Sequence, residues 1–171
     1  MTKWRHTLIA MGAGLLILGG SAASARGGDD DDTRTRLLGY EEVPAVSTHG
    51  KGTFRAEISH RDRELDYRLE YRGLSAPVQQ AHIHFGQFAV NGGVSVFLCS
   101  NLGNGPEGTP ACPDSGRVEG TLTAADVVGP AAQGIDPGEF RELVAAIEAE
   151  IAYVNVHTDK FPGGEIRGQL D

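Results

Sequence analysis

Between residues 54 and 71 the chain alternates apolar and polar side chains through two consecutive stretches, and that period of two leaves little but an antiparallel pair of strands. Phe54, Ala56 and Ile58 alternate with Arg55, Glu57 and Ser59, and Leu65, Tyr67, Leu69 and Tyr71 alternate with Asp66, Arg68 and Glu70. Successive strand side chains point to opposite faces, so each stretch offers one face to a core and one to water. His60, Arg61, Asp62 and Arg63 supply the polar reversal between them. Further strands are expected over 37–40, 80–85, 94–99, 117–122, 152–157 and 165–170, about eight in all. One segment departs: Phe140, Leu143, Val144, Ile147 and Ile151 recur at helical spacing. Asp136 as N-cap, Pro137 as first helical residue and Glu139 as a capping-box partner predict its start. A shorter turn is expected from Thr123. The fold class is therefore mainly β, a Greek-key β-sandwich of about eight strands with one short late helix.

The N-terminus reads as a secretory signal over residues 1–25: Lys3 and Arg5, an apolar run over 8–20, then Ala23-Ser24-Ala25 as the cleavage site. The apolar run is shorter than the roughly 20 residues a membrane helix needs, so no membrane span is expected after cleavage. Residues 26–36, with the run Asp29-Asp30-Asp31-Asp32, read as a disordered acidic leader. Losing Lys3 and Arg5 makes the formal charge of −8 more negative by two, which excludes nucleic acid as a phosphate-bound partner. Cys99 and Cys112 are the two cysteines of a chain bound for an oxidising compartment, secreted or periplasmic, and they predict a disulfide.

The candidate chemistry lies in strand histidines. His82 and His84 share one face of their strand opposite Ala81, Ile83 and Phe85, and His157 lies with Tyr153 and Asn155 opposite Val154 and Val156. If the two strands are neighbours, three imidazoles converge, a set suited to copper or zinc with a coordination position left open. The same placement also fits histidines that only hydrogen-bond across the sheet. His49 and His60 read as surface residues. No G-x-S-x-G elbow and no paired carboxylates stand out. In the run from Pro162 to Gln169 a turn is followed by Glu165 and Arg167 on one strand face, where they pair with each other or with the histidine strand, or receive a charged ligand. Asn155, Glu165 and Arg167 are thus candidate supporting residues.

These segments resemble the CHRD family, the domain named for chordin and found also in exported bacterial proteins. The resemblance rests on Leu38-Gly39, Glu42-Val43-Pro44, Gly73-Leu74, Ala81-His82-Ile83-His84-Phe85-Gly86, Gly120-Thr121-Leu122-Thr123, Tyr153-Val154-Asn155-Val156-His157-Thr158 and Pro162-Gly163-Gly164-Glu165-Ile166-Arg167-Gly168-Gln169-Leu170. It implies one domain over 37–171 and not an activity; the leading expectation is an exported, non-enzymatic binding module for an unidentified extracellular or periplasmic protein or a metal ion. The insertion around Cys112, and Glu150-Ile151 before Tyr153, depart from the pattern. The order of His82, His84 and His157 is also similar to the copper-binding histidines of copper-zinc superoxide dismutase, although no histidine between His84 and His157 supplies a bridging ligand. That likeness implies a copper-dependent redox protein as the alternative, and a purely structural or matrix-interaction domain is the third reading.

Overall fold

The computed structural model describes residues 30–171, so the expected signal peptide and residues 26–29 of the leader lie outside the described residues. In chain order the elements are β1 (Asp30–Leu38), β2 (Lys51–Ser59), β3 (Glu64–Arg72), β4 (Val78–Phe85), β5 (Gly93–Ser100), β6 (Gly116–Leu122), the helix α1 (Phe140–Glu148), β7 (Ala152–Thr158) and β8 (Ile166–Gln169). All eight strands join one antiparallel sheet in the order β5-β4-β7-β8-β1-β2-β3-β6. The sheet rolls until it nearly closes: the Tyr67 hydroxyl of β3 donates to the Leu98 carbonyl of β5 at 2.6 Å, and Val96 bridges to Val127 beyond β6. The expected sandwich is thus one continuous sheet folded over its own core. Among the described residues, no helix is long and apolar enough to cross a membrane.

The β2–β3 pair appears where the alternation placed it, with Phe54, Ala56, Ile58, Leu65, Tyr67, Leu69 and Tyr71 all buried. The leader does not stay disordered over 30–36. Those residues form β1, paired in register with the whole of β2 from Asp30 opposite Ser59 to Leu38 opposite Lys51. A strand with one solvated face needs few apolar residues. Here Thr33 and Leu37 turn inward, and the Thr33 hydroxyl donates to the Asp171 carbonyl at 3.1 Å.

The helix begins later than its capping signals suggest. Gly138 has φ +89° and interrupts the turn, so α1 starts at Phe140 with Glu139 as N-cap. The Glu139 carboxylate still accepts the Asp136 amide at 2.7 Å, which is half of the expected capping box. Phe140, Leu143, Val144 and Ile147 face the core. Cys99 and Cys112 are disulfide-bonded and tie an irregular loop to the end of β5. Closing a loop of this size stabilises by about 3 kcal/mol in a chain-entropy account.

The feature that positions the site is that β7 is buried at every residue. Ala152, Val154 and Val156 face the apolar core, and Tyr153, Asn155 and His157 face the opposite way into a second, polar interior covered by loops. Two covered faces are unusual for an antiparallel sheet, which commonly keeps one face wet.

Candidate metal centre

β4 and β7 are neighbours, with His82 opposite Asn155, His84 opposite Tyr153 and Gln80 opposite His157. That adjacency brings His82, His84 and His157 into one cluster whose ligand atoms all lie within 4.8 Å of one another. The three side chains are only 2%, 8% and 6% exposed. Aromatic faces frame them: Phe97 meets His82 edge-on with centroids 4.5 Å apart, and Tyr153 stacks on His84 at 4.8 Å.

Backbone carbonyls fix the tautomers. His84 Nδ1 lies 2.9 Å from the Gly92 carbonyl and His157 Nδ1 lies 2.9 Å from the Pro162 carbonyl. A carbonyl oxygen only accepts, so both Nδ1 atoms carry the hydrogen and both Nε2 atoms present lone pairs. His157 Nε2 faces His82 Nδ1 at 3.1 Å, so His82 donates there and its own Nε2 is bare. His82 Nε2 and His84 Nε2 are buried without any partner. An imidazole anchored through one nitrogen to a carbonyl with the other nitrogen free is the usual state of a metal-ligating histidine.

Electrostatics keep the imidazoles neutral. Burial pushes His82 down to about 2, helped by the neighbouring His157 and His84. Burial likewise lowers His84 to about 4, against the opposing hydrogen bond to Gly92, and lowers His157 against its bond to Pro162. Neutral imidazole is the form that binds a metal. Histidine nitrogens around a tetrahedral ion at about 2.0–2.1 Å stand roughly 3.4 Å apart, so the cluster is within side-chain adjustment of a coordination set. One lone pair, that of His157 Nε2, is shared between the His82 hydrogen bond and any ion, so the two are mutually exclusive.

The supporting residues divide. Asn155 lies beside the histidines, with its Oδ1 buried and unpartnered. Arg167, opposite Asn155 on β8, is 2% exposed, and its guanidinium lies 3.4 Å over the Tyr153 ring. It donates to the Gln87 and Val90 carbonyls at 3.2 and 3.0 Å and to Asn91 Oδ1 at 3.4 Å. It therefore holds the 86–92 loop, whose Gly92 orients His84. Glu165 joins neither Arg167 nor the cluster: it accepts from the Thr48 and Thr158 hydroxyls at 2.6 and 2.8 Å and from the Ser75 amide at 2.9 Å. Burial alone would raise its carboxyl, but these hydrogen bonds outweigh burial and hold it low.

Glu42 is the residue that sequence reasoning missed. It is 6% exposed, its Oε1 is unpartnered, and a side chain at Gly164 (φ +127°) would put its Cβ 2.3 Å from that oxygen and 2.8 Å from Asn155 Nδ2. Burial raises its carboxyl to about 7, with Arg167, the Val43 amide and Asn155 offsetting only part. Because the folded carboxyl holds its proton longer than the unfolded one, Glu42 costs stability as pH rises from about 4.5 to 7. Glu42→Gln is expected to stabilise the protein by about 2–3 kcal/mol at pH 8 and by little at pH 4.5, read from urea midpoints at the two pH values. Nothing in the spacing of Glu42 sets it apart from the other acidic residues; only the fold brings Gly164 and Asn155 against it.

His49 and His60 are exposed, as expected. His60 Nε2 lies 3.0 Å from Asp31 and 3.3 Å from Glu148, a solvated group that links the β2–β3 turn to β1 and α1.

No curated protein and no solved structure matches the chain. A family model, the CHRD domain, matches residues 33–170, the stretch that runs from β1 to the end of β8 and contains every residue of the histidine cluster. This chain belongs to the CHRD domain family.

Proposed function

We propose that this protein is an exported, non-enzymatic binding module that holds a copper or zinc ion through His82, His84 and His157. The observation that carries the reading is the pair of buried, partnerless Nε2 atoms on His82 and His84, beside a third imidazole whose Nδ1–H is anchored. A purely structural role for the histidines explains the His82–His157 hydrogen bond and leaves those two acceptors without a purpose. Leaving a buried acceptor unsatisfied costs about 1–3 kcal/mol, which ligation would recover. The loops over the cluster favour binding over turnover, since a copper-dependent redox enzyme needs a path for substrate. The disulfide accords with an oxidising compartment, secreted or periplasmic.

Elemental analysis of protein purified without a histidine tag, followed by copper and zinc titration, tests the reading. Wild type is expected to bind one equivalent and His84→Ala to lose about 100-fold or more in affinity while keeping its fold by circular dichroism. An absence of binding at micromolar metal would leave the structural reading.

A further inference from the structure

The outer face of β1, β2 and β3 carries two neighbouring rows of like charge. Arg34, Arg55 and Arg68 stand directly opposite one another across β1, β2 and β3, and so, one pleat further along, do Asp32, Glu57 and Asp66. All six side chains are exposed. Like charges directly opposite destabilise a sheet, and a face that only meets water is free to mix its signs. Arg68 and Arg117 share Glu119 at 3.5 and 3.4 Å, and Asp66 accepts the Thr121 hydroxyl. Among the described residues, Arg34, Arg55, Asp32 and Glu57 form no ion pair with one another within 4.0 Å. Arg36, Lys51, Arg72 and Arg117 extend the basic half, in which Glu70 and the paired Glu119 are the acidic members, and Glu64 extends the acidic half, so the face is a dipole.

We propose that this face is a self-complementary interface with a second copy of the chain. A two-fold axis running along the rows, midway between them, lays the arginine row of each copy over the acidic row of the other. Each of the six charges in the two central rows then meets one of opposite sign across the axis. A polyanion fits less well, because a chain of net charge −8 would bring Asp32, Glu57 and Asp66 to within about 7 Å of whatever the arginines bound.

The contact is electrostatic, so salt governs it. Sedimentation of the purified protein is expected to show a reversible dimer at about 0.01 M ionic strength, where the Debye length is about 30 Å, and a monomer at about 1 M, where it is about 3 Å. Arg55→Glu and Glu57→Arg each place like charges across the axis twice, and each is expected to weaken association more than about tenfold. An equimolar mixture of the two variants restores opposite charges at both contacts and is expected to dimerise again. A wild type that stays monomeric at low salt overturns the proposal. So does a variant that dimerises as well as wild type, or a mixture that stays monomeric. Dextran sulfate binding to a monomeric wild type, lost in Arg55→Glu, would give the arginine row to a polyanion instead.

Discussion

Acidifying the metal-free protein from pH 6 to about 4.5 is expected to remove roughly 2 kcal/mol of its stability. The sign follows from proton counts. In the unfolded chain the three histidines take up protons near pH 6.5, whereas in the fold burial holds His82 at about 2, His84 at about 4 and His157 below its ordinary value. Below pH 6.5 the unfolded state therefore binds about two more protons through His82 and His84, His157 adds in the same direction, and stability falls with pH. Glu42 works the other way between about 7 and 4.5, because the folded carboxyl already carries the proton that the unfolded one lacks. The net difference from these groups is about one proton, a slope of about 1.4 kcal/mol per pH unit. Below pH 4.5 the compensation from Glu42 ends, and the hydrogen-bonded Glu165 carboxylate begins to lose its partners' support as it protonates. Typical domains have about 5–15 kcal/mol in total, so the loss is a substantial share of the metal-free protein's stability. Urea midpoints measured across pH 4 to 7 check this. A flat profile would mean that the imidazoles are hydrated and titrate normally. Bound metal opposes the same protons, so the holoprotein should hold its stability to lower pH.

Arg167→Ala is expected to destabilise the domain by about 3 kcal/mol or more and to weaken copper or zinc binding by about 10–100-fold. The side chain is among the largest that are fully buried, and it adds to the Tyr153 hydroxyl and the Gln169 amide in tying the sheet to the 86–92 loop. Its plane covers Tyr153, which stacks on His84, and its donors reach Gln87, Val90 and Asn91 in the loop that carries Gly92. Truncation leaves the Val90 carbonyl unpaired, leaves the Gln87 carbonyl with the Val90 amide alone, and opens a cavity beside the aromatic ring. The loop should then become sensitive to proteolysis between 86 and 92, and His84 should lose its orienting carbonyl. Arg167→Lys is not expected to rescue it, since one ammonium cannot both stack on a ring and bridge two separated carbonyls. Denaturation midpoints, limited proteolysis and metal titration read the three effects separately. Wild-type affinity in Arg167→Ala would confine Arg167 to holding the loop.

The strands that alternate on a half-wet face were legible because each carries its own periodic signature, as β2 and β3 do. β1 was not, because Asp32, Arg34 and Arg36 all fall on its exposed face and resemble a solvated tail until β2 is placed beside them. The convergence of His82, His84 and His157 was readable as far as the face each occupies, and it became a site only through the β4–β7 pairing. Alternation gave no sign that loops bury that face. The same concealment hid Glu42, and it redirected Glu165 from Arg167 to Thr48, Ser75 and Thr158.

The first and last strands are neighbours: β8 lies between β7 and β1, Leu38 is opposite Arg167, and the Arg34 amide donates to the Asp171 carbonyl. A chain released from one end to the other therefore cannot seal its sheet until its final strand arrives, and until then β1 and β7 both present open edges. Pairings of such long sequence separation are slow to form, on the order of milliseconds to seconds.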